Sequence, residues 1–259
     1  MNPRSERGQY LADLYCGTGG VGKAAQYFFG VVAKLFDIIY GPEFDLTDKT
    51  LISRLCHDVA RGCIIACMIA IACASWSVAR NRTNVIRTRS SPWGLSESQD
   101  PSKPLSEKDQ QRIAEGNLQL RRLLPFSRTL VKHRVPFIIE NPASSNIFWV
   151  PQLRALLRYN GVHLIEVDQC FFGRPWRKRT KLLVGFLDEQ DVDSLSRCRC
   201  HGHKTCEFTG RRHVQLTGSN TRGVSMTALA QEFPKKMSRK LCRCLLHNVM
   251  HRRTLASHP

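Results

Sequence analysis

The 259 residues carry 39 Lys and Arg against 21 Asp and Glu, a formal net charge of +18, and 42% of them are hydrophobic. That length and apolar content exclude wholesale disorder and leave room for one large α/β domain or two small ones. The charge suits a polyanionic partner, nucleic acid before an anionic membrane surface. The longest apolar run, residues 63–73, falls short of the ~20 residues that cross a bilayer, and the opening "MNPRSERGQY" carries no apolar signal segment. The expectation is a soluble, intracellular protein (nuclear in a eukaryote) with no membrane partner and a monomer by default. In a reducing compartment its eleven cysteines are free thiols or metal ligands rather than a disulfide framework.

In chain order, "YLADLYCGTGG" predicts a short strand running into a glycine-rich turn, and "VGKAAQYFFGVVAKL" has helical character before "FDIIYG". Together they open a βαβ unit. "DKTLISRLCHDVARG" predicts a helix, with Leu51, Leu55 and Val59 on one face. "CIIACMIAIAC" reads as a strand buried on both faces, the mark of a parallel sheet, with a buried helix as the alternative that periodicity leaves open. Residues 79–104 form a long polar, basic loop rich in Ser and Pro. Ser106 and Asp109 supply a capping pair for the helix that follows, and Pro125 is expected to kink or split it. "VPFIIENP" is a strand, "VPQLRALLRYNG" a short helix closed by Gly161, and "VHLIEVDQC" and "RTKLLVGFL" are two more strands.

This alternation predicts a doubly wound, Rossmann-like α/β sheet that binds ligands at the carboxyl ends of its strands. The expected division is an α/β domain over 1–187, containing the loop 79–104; a small Cys/His-rich insert over 188–225; and a C-terminal helix that packs back on the sheet, with a basic tail, over 226–259.

Five constellations carry chemistry. In "DLYCGTGGVG" the glycines at 17, 19, 20 and 22 let the backbone approach a ligand at a helix N-terminus. They read G-x-G-G-x-G, and Asp13 before them suits a cationic ligand better than a pyrophosphate. Asp37, one βα unit later, stands where a carboxylate would hold ribose hydroxyls. Cys73 ends the apolar run of "IAIACASWSVARNR", as a nucleophile or as a small buried residue. Glu140 and Asn141 end a strand facing the ligand crevice. In "FFGRPWRKRTKLLVG" a Gly-x-Pro turn carries Arg174, Arg177, Lys178 and Arg179, a basic turn able to touch phosphates. In "CRCHGHKTCEFTGRRH", Cys198, Cys200 and Cys206 with either His203 or His213 could complete a tetrahedral zinc site; a reduced basic loop is the alternative. Cys242 and Cys244 read as core.

The glycine loop resembles the S-adenosylmethionine loop of class I methyltransferases. The order of all these motifs resembles the cytosine-5 DNA methyltransferases, in particular divergent members from protist and algal genomes and mobile elements, over roughly residues 10–185. "DLYCGTGG" is similar to the family's Asp-Leu-Phe-x-Gly-x-Gly-Gly. The resemblance implies a cofactor site of Asp13, Tyr15, Cys16, Gly17, Thr18, Gly19, Gly20 and Val21, with Asp37 at the ribose and Asp45, beside Leu46, at the adenine amino group. Cys73 falls on the family nucleophile, Glu140-Asn141 on its Glu-Asn, and "FGRPWRKRTKLLVG" on its Tyr-Gly-x-Pro-Gln-x-Arg-x-Arg. Ala72 replaces the family's Pro before the nucleophile, Ala74 a Gln, Pro142 a Val and Trp176 a Gln. Lys178 and Thr180 fall in register with the family's arginines, while Arg177 and Arg179 are one residue off.

The implied reaction is methyl transfer from S-adenosylmethionine to carbon 5 of a flipped cytosine through a covalent cysteine adduct. Arg177 or Arg179 would steady the adduct, and the basic loop from Arg80 to Arg89, with Trp93, would close over DNA. A non-catalytic nucleic-acid-binding relative and an RNA cytosine methyltransferase remain the alternatives.

Overall fold

All five residues of Tyr10–Leu14 (β1) are buried, so this segment has to run inside a sheet covered on both faces. In the computed structural model, which describes residues 8–78, 84–97 and 104–256 with side chains as far as residue 251, it lies parallel to Ala33–Phe36 (β2) on one side and to Ile64–Ile69 (β3) on the other. Phe137–Pro142 (β4) runs parallel to β3. Arg179–Gly185 (β6) then inserts antiparallel between β4 and Val162–Asp168 (β5). The sheet order is β2-β1-β3-β4-β6-β5, a mixed α/β, Rossmann-like architecture, as the sequence predicts.

Successive side chains of a strand point to opposite faces, and the core divides accordingly. Tyr10, Ala12 and Leu14 belong to one apolar cluster, under Lys49–Ala60 (α2) and Glu107–Lys132 (α3); Leu11, Ala66 and Met68 belong to the other, under Gly20–Phe29 (α1) and Lys235–Ala256 (α7). Pro151–Arg154 (α4), Glu189–Ser196 (α5) and Met226–Leu229 (α6) are short connectors. Cys242 and Cys244 are buried in the α1/α7 layer.

Three local expectations are corrected. The helix after the glycine loop ends at Phe29, not beyond it, because Gly30 caps it with a left-handed φ of 60°; the β-favouring "AKLF" then pairs with β1 as β2. α3 is continuous through Pro125. Leu120, Leu123, Leu124, Phe126 and Leu130 anchor it on both sides of the proline, which offsets the ~3 kcal/mol that an interior proline costs. The expected final helix is two, α6 and α7, separated before Pro234. Among the described residues no helix is long and apolar enough to cross a membrane.

Candidate active site

The three parallel strands β1, β3 and β4 deliver the chemistry-bearing residues to one edge. Leu14 pairs with Ile69, and Ile69 with Ile139, so the glycine loop, the Cys73 loop and Glu140 emerge side by side at the carboxyl ends, where open α/β sheets bind ligands. The amide of Ala70 donates to the Leu14 carbonyl at 3.0 Å, extending the match one residue past the strands.

The glycine loop is held from beneath. The buried Asp13 carboxyl accepts from the Gly22 amide (2.8 Å), Asp37 accepts from the Gly17 amide (2.9 Å), and the Tyr40 hydroxyl donates to the Gly17 carbonyl (2.7 Å). Asp13, 2% exposed, is therefore a brace inside the loop and not a carboxylate open to a cation. Burial, joined by the charge of Asp37, pushes it up to about 7. Gly17 and Gly19 take left-handed φ values of 50° and 71°, and a Cβ on Gly22 would lie 2.4 Å from Leu35, so side chains are excluded there.

Asp37 and Asp45 are half-buried. The Tyr15 hydroxyl is buried without a hydrogen-bond partner, and its ionisation is suppressed by burial and by the charges of Asp45 and Asp37. Burial, Asp13 and Asp37 also raise the Cys16 thiol to about 12, so Cys16 is a neutral lining group. Thr18 is exposed and Gly20 half-buried at the head of α1. An orphaned phenol, two carboxylates and a cradle that side chains would fill fit a nucleoside-bearing cofactor. The side chains of Val21 and Leu46 are buried in the hydrophobic core, because α1 and the segment before α2 turn them inward, which leaves their backbone groups to face a ligand.

Cys73 lies four residues beyond β3 and is partly exposed. Burial raises its thiol, Lys178 lowers it, and Glu140 raises it again. Glu140 is 6% exposed; burial pushes its carboxyl up while the charge of Lys178 pulls it down. One cation therefore acts on both groups. Lys178, half-buried, also donates to the Ala230 carbonyl at 3.0 Å. The Glu140 Oε1 atom is buried and makes no hydrogen bond. Asn141 donates from Nδ2 to the Ile71 carbonyl at 2.8 Å, so it positions the Cys73 loop.

A proline normally shapes this loop in the family that the sequence resembles. Here contacts from elsewhere in the chain hold it. The Cys73 carbonyl accepts from the Trp76 and Ser77 amides, and the Asn146 amide donates to the Trp76 carbonyl at 2.9 Å. Arg87, 1% exposed, inserts its guanidinium beside them. It donates to the Ser75 carbonyl (3.1 Å) and hydroxyl (3.1 Å), to the Pro92 and Ile113 carbonyls (2.9 and 3.0 Å) and to Asn117 Oδ1 (2.8 Å), while lying 3.7 Å from the Trp76 ring centroid. Burial lowers its pKa to about 10, which leaves it cationic at neutral pH. Within the basic loop expected to close on DNA, Arg87 is thus internal, and Trp93 packs edge-on against Trp76. Arg89 is exposed, lying over Trp149, while Arg80 and Arg82 fall outside the described residues.

Two further assignments change. Arg177 pairs with Asp168 (3.4 Å), and Arg179 pairs with Glu166 (2.7 Å) together with Lys181 and Arg199; neither arginine is a free cation beside Cys73. Strand alternation places Lys178 there instead, with Thr180 buried on the same side. In the Cys/His segment, the ligand atoms that come together are those of Cys170, Cys200, Cys206 and His213, all within 4.8 Å of one another, a group that could hold a metal ion. Cys198 closes the last turn of α5, donating its amide to the Leu195 carbonyl, and this turns its sulfur into the α1/α7 core. His203 is exposed. Cys170, at the end of β5, carries no local sequence signal; only the sheet brings it to the cluster.

A separate 590 Å³ hollow lined by Arg134, Gly161, Phe186 and Asn248, among others, lies at the opposite edge of the sheet and has no cysteine in its wall.

No protein-family model and no curated protein matches the chain. Among solved structures it is similar to the Entamoeba histolytica methyltransferase EhMeth, with 11% sequence identity and a TM-score of 0.40 over 71% of this chain and 54% of that one. The chain thus spans about half the length of that structure.

Proposed function

We propose that the protein is an S-adenosylmethionine-dependent DNA cytosine-5 methyltransferase. The observation that carries this reading is the placing of Cys73 and Glu140 at adjacent strand ends, beside the glycine loop, with Lys178 acting on both. The cofactor would lie along Tyr15, Cys16, Gly17, Thr18, Gly19 and Gly20, with Asp37 at the ribose and Asp45 toward the adenine. Bound there, it would supply an electrophilic methyl group.

The remaining chemistry falls to this chain. Carbon 5 of cytosine is a weak nucleophile. The Cys73 sulfur, as thiolate, forms a bond to carbon 6; the 5,6 π pair shifts to the carbon 4–carbon 5 bond and the carbon 4–nitrogen 3 π pair moves onto nitrogen 3, leaving an enamine whose carbon 5 is nucleophilic. Burial favours the neutral thiol in the free protein, and the Lys178 cation opposes that. Burial favours the neutral form of Glu140 and Lys178 opposes it; in its protonated form Glu140 can share its proton with ring nitrogen 3 as charge builds there. Its unpartnered oxygen is the atom left for a substrate. After methylation the carbon 5 proton passes to solvent, its bonding pair re-forms the 5,6 double bond and expels the Cys73 thiolate, and nitrogen 3 returns its proton to Glu140. A base within a duplex cannot reach this site, so the target is flipped out at a cost of ~ a few kcal/mol. The net charge of +18 supplies the sequence-independent attraction to the phosphate backbone.

The test is a denaturation-resistant adduct with DNA containing 5-fluorocytosine, in which the carbon 5 substituent blocks release. The wild type should form it and Cys73→Ala should not. Salt-sensitive DNA binding without an adduct would replace this reading with that of a non-catalytic binding relative. An adduct on the matching RNA and none on DNA would assign RNA as substrate.

A further inference from the structure

We propose that Cys170, Cys200, Cys206 and His213 form a structural zinc centre that clamps the Cys/His segment onto the turn carrying Lys178. The metal assignment stands apart from the methyl-transfer reading.

Geometry comes first. Zn–S bonds of about 2.3 Å and Zn–N bonds of about 2.0–2.1 Å, arranged tetrahedrally, put neighbouring ligand atoms about 3.5–3.8 Å apart. The Cys200 sulfur lies 3.8 Å from His213 Nε2, and all four ligand atoms fall within 4.8 Å of one another. The four residues are 1%, 0%, 3% and 7% exposed, the three cysteines are free thiols, and His213 Nδ1 is buried without a hydrogen-bond partner. Three thiols and an incompletely bonded imidazole make a poor apolar core, since a buried polar group without a partner is costly. Yet the apolar cluster recorded at this place consists of Cys170, Cys200 and Cys206 alone. A segment so short of core is the kind that needs a metal to hold it. Thiolate and imidazole donors select a borderline-soft cation over calcium or magnesium, and four protein ligands leave no open position for catalysis.

The surroundings show what the centre holds. Asp168, at the end of β5 just before Cys170, accepts from the Cys200 amide at 2.8 Å and pairs with Arg177 at 3.4 Å. Arg177 in turn donates to the Gly202 carbonyl at 3.0 Å, and the Val214 amide donates to the Pro175 carbonyl at 2.9 Å. These contacts tie both ends of the metal-binding segment to the turn over residues 173–178. Three thiols lose their protons to solvent as the ion binds, which couples metal loading to the order of the segment. Lys178 leaves that turn with its ammonium donating to the Ala230 carbonyl at 3.0 Å and its charge acting on Cys73 and Glu140.

Elemental analysis of protein purified without a polyhistidine tag should find about one zinc per chain. Cys170→Ser and Cys206→Ser should lose it, while Cys198→Ser and His203→Ala keep it. Cobalt(II) in place of zinc should give the intense visible bands of a tetrahedral thiolate site. Should Cys170→Ser fail to fold, the cobalt spectrum of the wild type and the release of three protected thiols by a chelator decide the matter. Chelation should also move the pH midpoint for alkylation of Cys73, followed by peptide mass spectrometry, to higher pH as Lys178 is freed. Metal-free native protein with all three cluster thiols reactive, or zinc lost from Cys198→Ser and kept by Cys170→Ser, would overturn the site. An unchanged Cys73 profile after zinc removal would overturn the clamp.

Discussion

Asn at position 13 should flatten the pH dependence of stability. The Asp13 carboxyl is buried and raised from 3.8 to about 7, so the fold favours its protonated form. Its contribution is therefore fully present below about pH 4 and is lost as pH rises through about 7. At 1.36 kcal/mol per pH unit the whole loss is about 4 kcal/mol, of which about 2–3 kcal/mol falls between pH 5 and pH 8. For a chain of this size that is about 5–10 °C in Tm. Asp13→Asn keeps an oxygen to accept from the Gly22 amide and removes the charge. Urea and thermal denaturation of both proteins across this range should show the wild type losing about 2–3 kcal/mol relative to the variant, with Asp13→Asn the more stable at pH 8. Parallel profiles, or a less stable variant at pH 8, would refute a buried carboxyl strained by ionisation beneath the glycine loop.

Lys178→Met should raise the Cys73 thiol further, because a cation that lowers it is gone; the alkylation rate of Cys73 should then have its pH midpoint displaced upward, and an unmoved midpoint would remove Lys178 from the site. Arg87→Met leaves the Ser75, Pro92 and Ile113 carbonyls without their donor and should cost about 3–5 kcal/mol in urea denaturation. Arg87→Lys should not restore the loss, since an ammonium cannot reproduce the planar fork. A change under about 0.5 kcal/mol, the scale of an ordinary surface substitution, would mean that the loop after Cys73 does not depend on Arg87.

The sheet was legible because burial on both faces imposes continuous apolar runs: "YLADL", "IIACMI" and "FII" could be little else at their lengths and flanks. The glycine loop was legible because only glycine tolerates its left-handed φ values and close packing. The places of Cys73 just beyond one strand and of Glu140 within the next were likewise legible from the apolar runs before them. By contrast, Arg87 looked like one more basic residue in a polar loop. Its neighbours Ser75, Ile113 and Asn117 are distant in sequence, and no local pattern separates an arginine that binds carbonyls internally from one that faces solvent.

The Cys/His group divides the same way. Composition placed a metal-capable cluster near the C-terminus, and Cys200 and Cys206, with either His203 or His213, were read from it. The exchange of Cys198 for Cys170 required the end of α5 and the carboxyl end of β5 to meet. Likewise the choice of Lys178 over Arg177 and Arg179 depends on strand alternation fixed only when β6 enters antiparallel against β4. What the sequence by itself determined was what local backbone and burial requirements dictate: the strands, the glycine turn, the cap at Ser106 and the order of the motifs. Only the tertiary structure decided which charged or ligating side chain faces which. That depends on register and on contacts between segments far apart in the chain, and a one-residue change of register moves every side chain to the opposite face.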